Sequence, residues 1–223
     1  MISFMHALRR RLMAAKPDPG FTYTYSGSKS GSLSNLGKGT LKLTSSGTLK
    51  VLTGSAKVSV TIRGSGGGAC CVVSKTSSSV THYFYGTGGG GGTRTITVTL
   101  TAGNSYYISI GAAGEVENVS LTKFPSSTYT AGDGGDVTAF GYTSTGGGGG
   151  EVDGDSTQYS TCTAGAGGSP GGGTGEADHT QVTVTGSATI GSKPTASGGS
   201  PNGGGVSSGS ARAGTKGYVQ IKG

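Results

Sequence analysis

Five dense runs of glycine, separated by segments with the pattern of β-strands, constrain the fold of this chain more than any other feature. Glycine accounts for 48 of the 223 residues, and the runs cover residues 64–68, 88–92, 146–150, 165–175 and 198–205. Glycine costs roughly 0.5–1 kcal/mol relative to alanine inside a helix or strand, and a flexible linker would explain only one run. We therefore expect the runs either to adopt backbone angles that other residues disfavour or to pack backbone against backbone.

Several short segments alternate apolar and polar residues with period two, as half-buried strands do. They cover residues 40–44, 57–63, 95–100, 106–110 and 218–222, with further candidates at 136–142 and 181–185. The hydrophobic content is 31% and tryptophan is absent, which excludes a large aliphatic core. Short strands separated by Gly, Ser and Asn turns predict an all-β fold, an antiparallel β-sandwich or barrel.

The order of strands and glycine runs repeats along the chain. The strand at 57–63 enters a glycine run, residues 69–87 bear side chains, and the run at 88–92 leads back into a strand. Residues 151–164 are bracketed by glycine runs in the same way. Extended backbones can approach this closely only without Cβ atoms, as glycine allows at the axis of collagen. The pattern predicts paired glycine legs that leave the strands, bear a tip and return.

The N-terminal residues have the pattern of a short α-helix. An apolar seam spaced four, three and four residues apart, as in a coiled coil, consists of Met1, Met5, Leu8 and Leu12. Pro17 and Pro19 would end this helix. A helix of this length is marginal alone in water, so we expect it to bind an assembly partner or copies of itself as a trimer anchor. Packing on its own domain and lying on a membrane surface are the second and third alternatives.

The chain therefore divides into an N-terminal helical anchor, residues 1–19, and a glycine-rich β-sandwich domain, residues 20–223. Its loop tips are expected at about 69–87, 115–131 and 151–164. No stretch approaches the ~20 apolar residues of a membrane span, and the three cysteines are an odd number, which argues against a disulfide framework. We expect that the chain does not insert into a membrane. We also expect that it is assembled in a cytoplasm, without signal-directed export.

The net charge of +7 is unevenly distributed. Residues 1–94 hold twelve Lys or Arg against the single acid Asp18, and residues 115–178 hold nine acids against Lys123. Recognition of nucleic acid needs a clustered basic face with a known motif, whereas Lys42 and Lys57 alternate with Ser and Thr on strands. This pattern is typical of a solvated sheet face, and we expect no nucleic-acid partner.

An ordered series of motifs resembles the glycine-rich domain proteins of tailed phages and prophages. Residues 47–51 (GTLKV) match a hairpin motif, and residues 58–68 form a β-branched strand entering poly-glycine. Residues 101–114 (TAGNSYYISIGAAG) and 132–150 (GDGGDVTAFGYTSTGGGGG) are similar to two further elements, and residues 217–223 (GYVQIKG) to the closing strand. The resemblance covers roughly residues 39–223.

This resemblance implies a jelly-roll-like β-sandwich whose inserted glycine segments pack as polyglycine-II helices, similar to T-even-like tail-fibre-tip adhesins. In those adhesins, variable loops between the glycine segments bind the host surface. The implied protein is a virion component of the tail fibre, tail tip or head fibre used for host adhesion. Its expected partners are other virion proteins, through the helix, and a bacterial surface glycan or protein. The alternative is a purely structural minor tail or capsid-decorating protein.

Aromatic side chains exposed on a loop can stack on sugar rings or anchor an interface. The first candidates for receptor contact are consecutive residues of one tip, His82, Tyr83, Phe84 and Tyr85. The competing interpretation is that alternate members, Tyr83 and Tyr85, cap the core. Further candidates on the other tips are Phe124, Tyr129 and Tyr159, whereas Phe140 is assigned to the core.

Catalytic and metal-binding patterns are weak. Acidic residues cluster in glycine-rich turns, namely Asp133, Asp136, Glu151, Asp153 and Asp155, but they match no calcium-binding loop and are interpreted as solvated turn acids. The histidines His6, His82 and His179 have no partnered nucleophile motif, and Cys70 and Cys71 are interpreted as small buried hydrophobes. A polysaccharide depolymerase would need a carboxylate pair in a groove. We expect no enzyme, metal or cofactor.

Overall fold

A computed structural model describes residues 20–185 and 188–223, and every regular element in this part of the chain is a β-strand. The predicted N-terminal helix with Met1, Met5, Leu8 and Leu12 lies outside the described residues. In chain order the strands are β1 (Thr22–Tyr25), β2 (Lys29–Leu33), β3 (Gly39–Leu43), β4 (Gly47–Thr53), β5 (Ser55–Arg63), β6 (Cys70–Lys75), β7 (Val80–Gly86), β8 (Thr93–Thr101), β9 (Ser105–Ile110), β10 (Glu117–Leu121), β11 (Thr128–Thr130), β12 (Val137–Ala139), β13 (Tyr142–Ser144), β14 (Glu151–Asp153), β15 (Thr161–Thr163), β16 (Ala177–Thr185), β17 (Ala188–Ile190), β18 (Val206–Ser207), β19 (Ser210–Ala211) and β20 (Tyr218–Lys222). Within those same residues there is no helix long and apolar enough to cross a membrane.

Two five-stranded antiparallel sheets share the largest hydrophobic core. Their strand orders are β1-β4-β9-β12-β13 and β2-β3-β20-β5-β8, and we call them the basal sheets. Strand β5 shows how the sequence produces this core: Val58, Val60 and Ile62 point inward, and the alternating Ser and Thr residues point outward. They pack against Leu49 and Ile108 of the facing sheet. The predicted period-two pattern is confirmed here.

The distal sheets lie at the other end of the glycine segments. They are a five-stranded sheet, β10-β6-β7-β16-β17, a three-stranded sheet, β11-β14-β15, and the pair β18-β19. Strand β10 pairs with β6 in parallel, so the five-stranded sheet is mixed rather than antiparallel throughout. Two smaller apolar clusters hold these sheets together, one around Phe84 and Val152 and one around Tyr83 and Val206.

Glycine-rich segments connect the basal and distal sheets. Six of them join a basal strand to a distal strand: residues 64–69, 87–92, 111–116, 131–136, 145–150 and 212–217. Two longer ones, 164–176 and 191–205, begin and end at the distal sheets. The predicted legs that leave the strands, bear a tip and return are present around residues 69–87, whereas the leg that follows residues 151–164 ends at a distal strand instead of returning to the basal sheets. We call these eight stretches the glycine segments.

Backbone hydrogen bonds between the glycine segments repeat every three residues. The N–H groups of Gly88 and Gly91 donate to the same segment, at Gly204 and Pro201 (2.8 and 3.0 Å). Those of Gly89 and Gly92 donate to a second segment, at Gly148 and Thr145, and that of Gly90 donates to a third, at Gly173, each at 2.8 Å. Residues 64–69 follow the same period. Each segment is thus bonded to several neighbours at once rather than lying in a flat sheet.

The packing distances explain why glycine is required. A Cβ atom on Gly67 would lie 2.0 Å from the carbonyl oxygen of Gly148, and one on Gly91 would lie 2.1 Å from that of Gly64. Within the five predicted runs, Gly171 has a positive φ, of 74°, and no other glycine does. Of the two alternatives left by the sequence, close backbone packing therefore accounts for the runs.

Two sequence predictions are wrong at the level of elements. The first tip, residues 69–87, is a hairpin of β6 and β7 rather than a loop, and its exposed apex is limited to the residues around Ser77 and Ser78. Residues 136–142 form two strands, β12 and β13, because the chain reverses at Phe140 and Gly141, whose φ angles are 53° and 78°. Positive φ at both central residues is the geometry of a tight type I′ hairpin turn.

Candidate functional site

The apex of the β6–β7 hairpin and the two other predicted tips meet at one surface depression on the distal sheets. It has a volume of about 290 Å³. The β6–β7 turn, the β10–β11 connection and the β14–β15 loop contribute its lining, which consists of Thr76, Thr122, Lys123, Phe124, Ser126 and Ser156. We call this surface the distal depression. The resemblance implied tips that bind a surface, and the fold brings the three tips together.

The lining combines hydroxyl groups, one ammonium group and one aromatic ring. Each Ser or Thr hydroxyl can both donate and accept a hydrogen bond. Phe124 is half-buried and packs edge-on against His82, with ring centroids 4.9 Å apart. The Ser74 hydroxyl donates to the backbone carbonyl of Lys123 at 2.6 Å, which fixes the connection in place. Such a lining suits a hydroxyl-rich ligand better than it suits an apolar ligand.

The β14–β15 loop presents the most exposed of the predicted aromatics. Tyr159 is 77% exposed and lies on the same loop as Ser156. One Asp155 carboxylate oxygen accepts hydrogen bonds from the Thr157 hydroxyl (2.7 Å), the Thr157 N–H (2.8 Å) and the Ser160 hydroxyl (3.1 Å). These bonds lower the pKa of Asp155 and hold the loop in shape.

The prediction that His82, Tyr83, Phe84 and Tyr85 form an exposed tip is wrong. All four are buried side chains of β7. Strand β7 pairs with β6 on one edge and β16 on the other, so it lies inside the distal sheet. Tyr83 and Tyr85 pack on one face and Phe84 on the other. A strand covered on both faces has a continuous apolar sequence. Tyr83 and Tyr85 are therefore core residues, as the competing interpretation expected, but of a distal cluster and not of the core between the basal sheets.

The remaining predicted residues divide between core and surface. Tyr129 on β11 is half-buried and packs against the cluster around Phe84. Its backbone carbonyl lies 3.3 Å from the Cys70 sulfur, within hydrogen-bond range. Cys70 and Cys71 are fully buried, and burial raises their thiol pKa values to about 12 and about 11. Such thiols are unreactive near neutral pH, which agrees with their interpretation as small core residues.

A histidine pair lies behind the distal depression, and sequence reasoning missed it. The Nδ1 atom of His82 is 3.0 Å from the Nε2 atom of His179, and the His179 ring stacks on Phe84 at 4.5 Å. Burial lowers the pKa of both histidines, and for His82 the neighbouring His179 lowers it further. The two are 97 residues apart, and only the pairing of β7 with β16 brings them together.

Two of the five predicted turn acids, Asp133 and Asp136, bind the backbone of the glycine segments, whereas Glu151 and Asp153 lie on strand β14 and accept hydrogen bonds from Thr130 and Thr128. A carboxylate oxygen of Asp133 accepts from the N–H of Gly149 at 2.7 Å, and one of Asp136 accepts from Gly146 at 2.9 Å. Across residues 20–185 and 188–223, no three His, Cys, Asp or Glu residues are grouped so that they could hold a metal ion. Asp133 and Asp136 thus cap backbone N–H groups that the glycine segments leave unpaired.

A second surface feature, at the basal sheets, was not anticipated. A groove of about 510 Å³ lies between β8 and the turn of β12 and β13. Its aromatic walls include Tyr107, which is 69% exposed, and Tyr142, which is 43% exposed. Phe140 packs against the core as expected, and its ring, 5.0 Å from that of Tyr106, also lines the groove. We call this the aromatic groove; β9 and the β12–β13 hairpin form it only after pairing.

No protein-family model matches this chain, and no curated protein matches its sequence. The distal depression and the aromatic groove lie at opposite ends of the glycine segments.

Proposed function

We propose that this chain is a structural protein of a phage virion, a tail-fibre, tail-tip or head-fibre component, and that its distal depression contacts the host cell surface. The observation that supports this role best is the meeting of three separate tips, each between glycine segments, at one hydroxyl-lined surface. A loop surface positioned by a rigid scaffold is a common arrangement for recognition.

The scaffold supports the same proposal. Hydrogen bonding that repeats every three residues matches a helix of three residues per turn without internal hydrogen bonds. We therefore interpret the glycine segments as polyglycine-II helices and the basal sheets as a jelly-roll-like β-sandwich. In this arrangement the bundle holds the tips away from the basal sheets and resists bending, because each helix is bonded to several others.

Binding to bacterial cells tests the proposal directly. Fluorescently labelled full-length protein is titrated onto a panel of bacterial strains, beside the double variant Lys123→Ala/Tyr159→Ala. We expect saturable binding to at least one strain, weakened at least about tenfold in the variant, equivalent to about 1.4 kcal/mol. Both side chains are exposed, so the variant should remain folded.

Two controls separate adhesion from instability. Leu36→Ala truncates an exposed side chain between β2 and β3, at the opposite end of the molecule and outside the lining of either surface depression described above, and should leave cell binding unchanged. Phe84→Ala is unsuitable as a test of contact, because removal of a fully buried Phe costs about 3–5 kcal/mol. Absence of binding to every strain, or equal binding by the double variant, would overturn the adhesin role and favour the purely structural alternative.

A further inference from the structure

The basal sheets contain basic residues and no acidic ones. From residue 20 to residue 110 there is no Asp or Glu, and none occurs in β12, β13 or β20. One basal sheet, β2-β3-β20-β5-β8, contains several cations, namely Lys29, Lys42, Lys57, Arg63, Arg94 and Lys222. Like charges on one body repel one another and attract a ligand of the opposite charge. The charge of this end therefore fits an anionic ligand.

These cations extend across the sheet to the aromatic groove. Lys42 and Arg63 both lie over the ring of Tyr218, with Nζ 4.1 Å and Cζ 4.9 Å from its centroid. Lys57 on β5 is directly opposite Thr99 on β8, and Thr99 lines the groove. Cross-strand partners share a face of the sheet, so Lys57 borders the groove wall from the outer face of the sheet, whereas Arg94, opposite the core residue Ile62, approaches the groove from the inner face.

The groove itself has the chemistry of a saccharide site. The exposed rings of Tyr107 and Tyr142 offer flat apolar faces for the C–H face of a sugar. The hydroxyls of Thr97 and Thr99 on the opposite wall can donate to and accept from sugar hydroxyls. Arg94 lies over Tyr142, with Cζ 5.5 Å from the ring centroid, and a guanidinium pairs with carboxylates in a bidentate manner.

An added peptide strand fits this site less well than a sugar. Strand β8 is an edge strand, and edges can accept a further strand. However, the Tyr106 hydroxyl lies 3.5 Å from the Thr99 carbonyl, and Thr93 already donates its N–H to Pro170 at 2.6 Å. Both groups belong to the outward edge that an incoming strand would need. The exposed rings and hydroxyls remain accessible to a saccharide.

We propose that the aromatic groove binds an acidic polysaccharide, with a sugar ring stacked on Tyr107 and a carboxylate paired with Arg94 beside Tyr142. Lys57 and its neighbours on the same sheet then attract further acidic groups of the same polymer. This site lies at the opposite end of the molecule from the distal depression, and its test does not depend on the proposed adhesin role.

Affinity electrophoresis of the full chain in native gels measures this binding. The gels contain polygalacturonate, hyaluronate or alginate, with methyl-esterified polygalacturonate as the uncharged match for the first polymer. We expect at least one uronate polymer to retard the protein, and the esterified polymer to bind at least about tenfold more weakly because the ion pair with Arg94 is absent. Tyr107→Ser and Arg94→Gln should each reduce the retardation.

Matched variants isolate the groove from general charge. Lys75→Gln removes one exposed positive charge at the distal sheets and should leave retardation nearly unchanged. Residues 9–11 are arginines and attract any polyanion. The groove is therefore tested by the difference in retardation between variants of the full chain, because all of them contain these arginines.

Three outcomes would overturn the proposal. One is the absence of retardation by all three uronate polymers, and another is retardation that Tyr107→Ser and Arg94→Gln leave unchanged. The third is tighter binding of a thymidine oligonucleotide that depends on the same two residues, which would make the groove a single-stranded nucleic-acid site instead.

Discussion

At the scale of single residues, glycine performs two different tasks in this protein. At Gly67 the requirement is space, because a Cβ atom there would lie 2.0 Å from the carbonyl oxygen of Gly148. At Gly141 the requirement is torsional, because φ is 78° while a Cβ atom would meet nothing within 4 Å. A change to alanine at the two positions therefore has two distinct physical costs.

We expect Gly67→Ala to destabilise the protein more than Gly141→Ala. Overpacking of a dense interior costs typically about 1–3 kcal/mol and occasionally more, and backbone on backbone leaves no flexible side chain that could yield. The torsional cost of a left-handed alanine is roughly 1–2 kcal/mol. Urea denaturation of both variants and of the wild type measures the two free energies of unfolding.

Gly148→Ala is the matched control within the glycine segments. A Cβ atom there has its nearest neighbour, the N atom of Ala166, at 3.1 Å, and φ is not positive. We expect a smaller loss of stability than for Gly67→Ala. Equal losses for all three variants would contradict this account of close backbone packing, because the reduced entropy of the unfolded chain favours alanine at all three positions and cannot cause a loss.

The residue scale also shows what the sequence could predict about glycine. The runs alone indicated that missing side chains were needed, because five runs between strands exceed what linkers explain. The runs alone could not show whether glycine is needed for its backbone torsion angles or for close backbone packing, since both explanations require the same residue. The decision depends on which other segment lies beside each glycine, and that information is absent from a run of identical residues.

At the scale of elements, β7 shows how sheet position determines burial. Its aromatic sequence suits either an exposed tip or a central strand, and local pattern does not separate the two. Pairing with β6 and β16 places β7 inside the distal sheet, where both faces are covered. The basal strands were predictable because they alternate, whereas the burial of β7 depends on pairing with β16, which is far away in sequence. The β12–β13 hairpin was missed because its turn needs a positive φ at Phe140, which a bulky residue rarely adopts.

The same pairing predicts a pH-dependent stability. The folded-state pKa values of His82 and His179 are lowered, mainly by burial, although the charge of Asp178 opposes this at His179. In the unfolded chain both should titrate near 6.5. Below that pH the unfolded state takes up protons more readily than the folded state, so the stability of the fold falls as the pH decreases.

Thermal unfolding followed between pH 7.5 and 5.5 measures this effect. We expect the melting temperature to fall toward pH 5.5, and to fall less in the variant His179→Gln, which removes one titrating ring. Most carboxylates titrate below this window, near pH 4. A melting temperature that rises toward pH 5.5, or a variant with the same slope as the wild type, would contradict the account of the histidine pair.

At the scale of the whole molecule, the glycine segments connect the basal sheets to the distal sheets. The legs and tips were predictable from their order in the chain. The meeting of three tips at one depression was not, because the lateral order of the segments is set by hydrogen bonds such as that of Gly67 to Gly89, at 2.9 Å. Residues without side chains leave no pattern from which that order can be inferred.

This connectivity predicts that the basal and distal sheets unfold together. Six glycine segments cross between them, and each is hydrogen-bonded to others that are distant in sequence, so neither end can open without breaking the bundle. Ile221→Ala in the basal core should cost about 2–5 kcal/mol and Phe84→Ala in the distal core about 3–5 kcal/mol. Both variants should shift one and the same transition, with equal calorimetric and van't Hoff enthalpies. Two separate transitions, each shifted by only one of the variants, would instead show that the bundle joins two independently stable units and that its hydrogen bonds do not transmit unfolding from one end to the other.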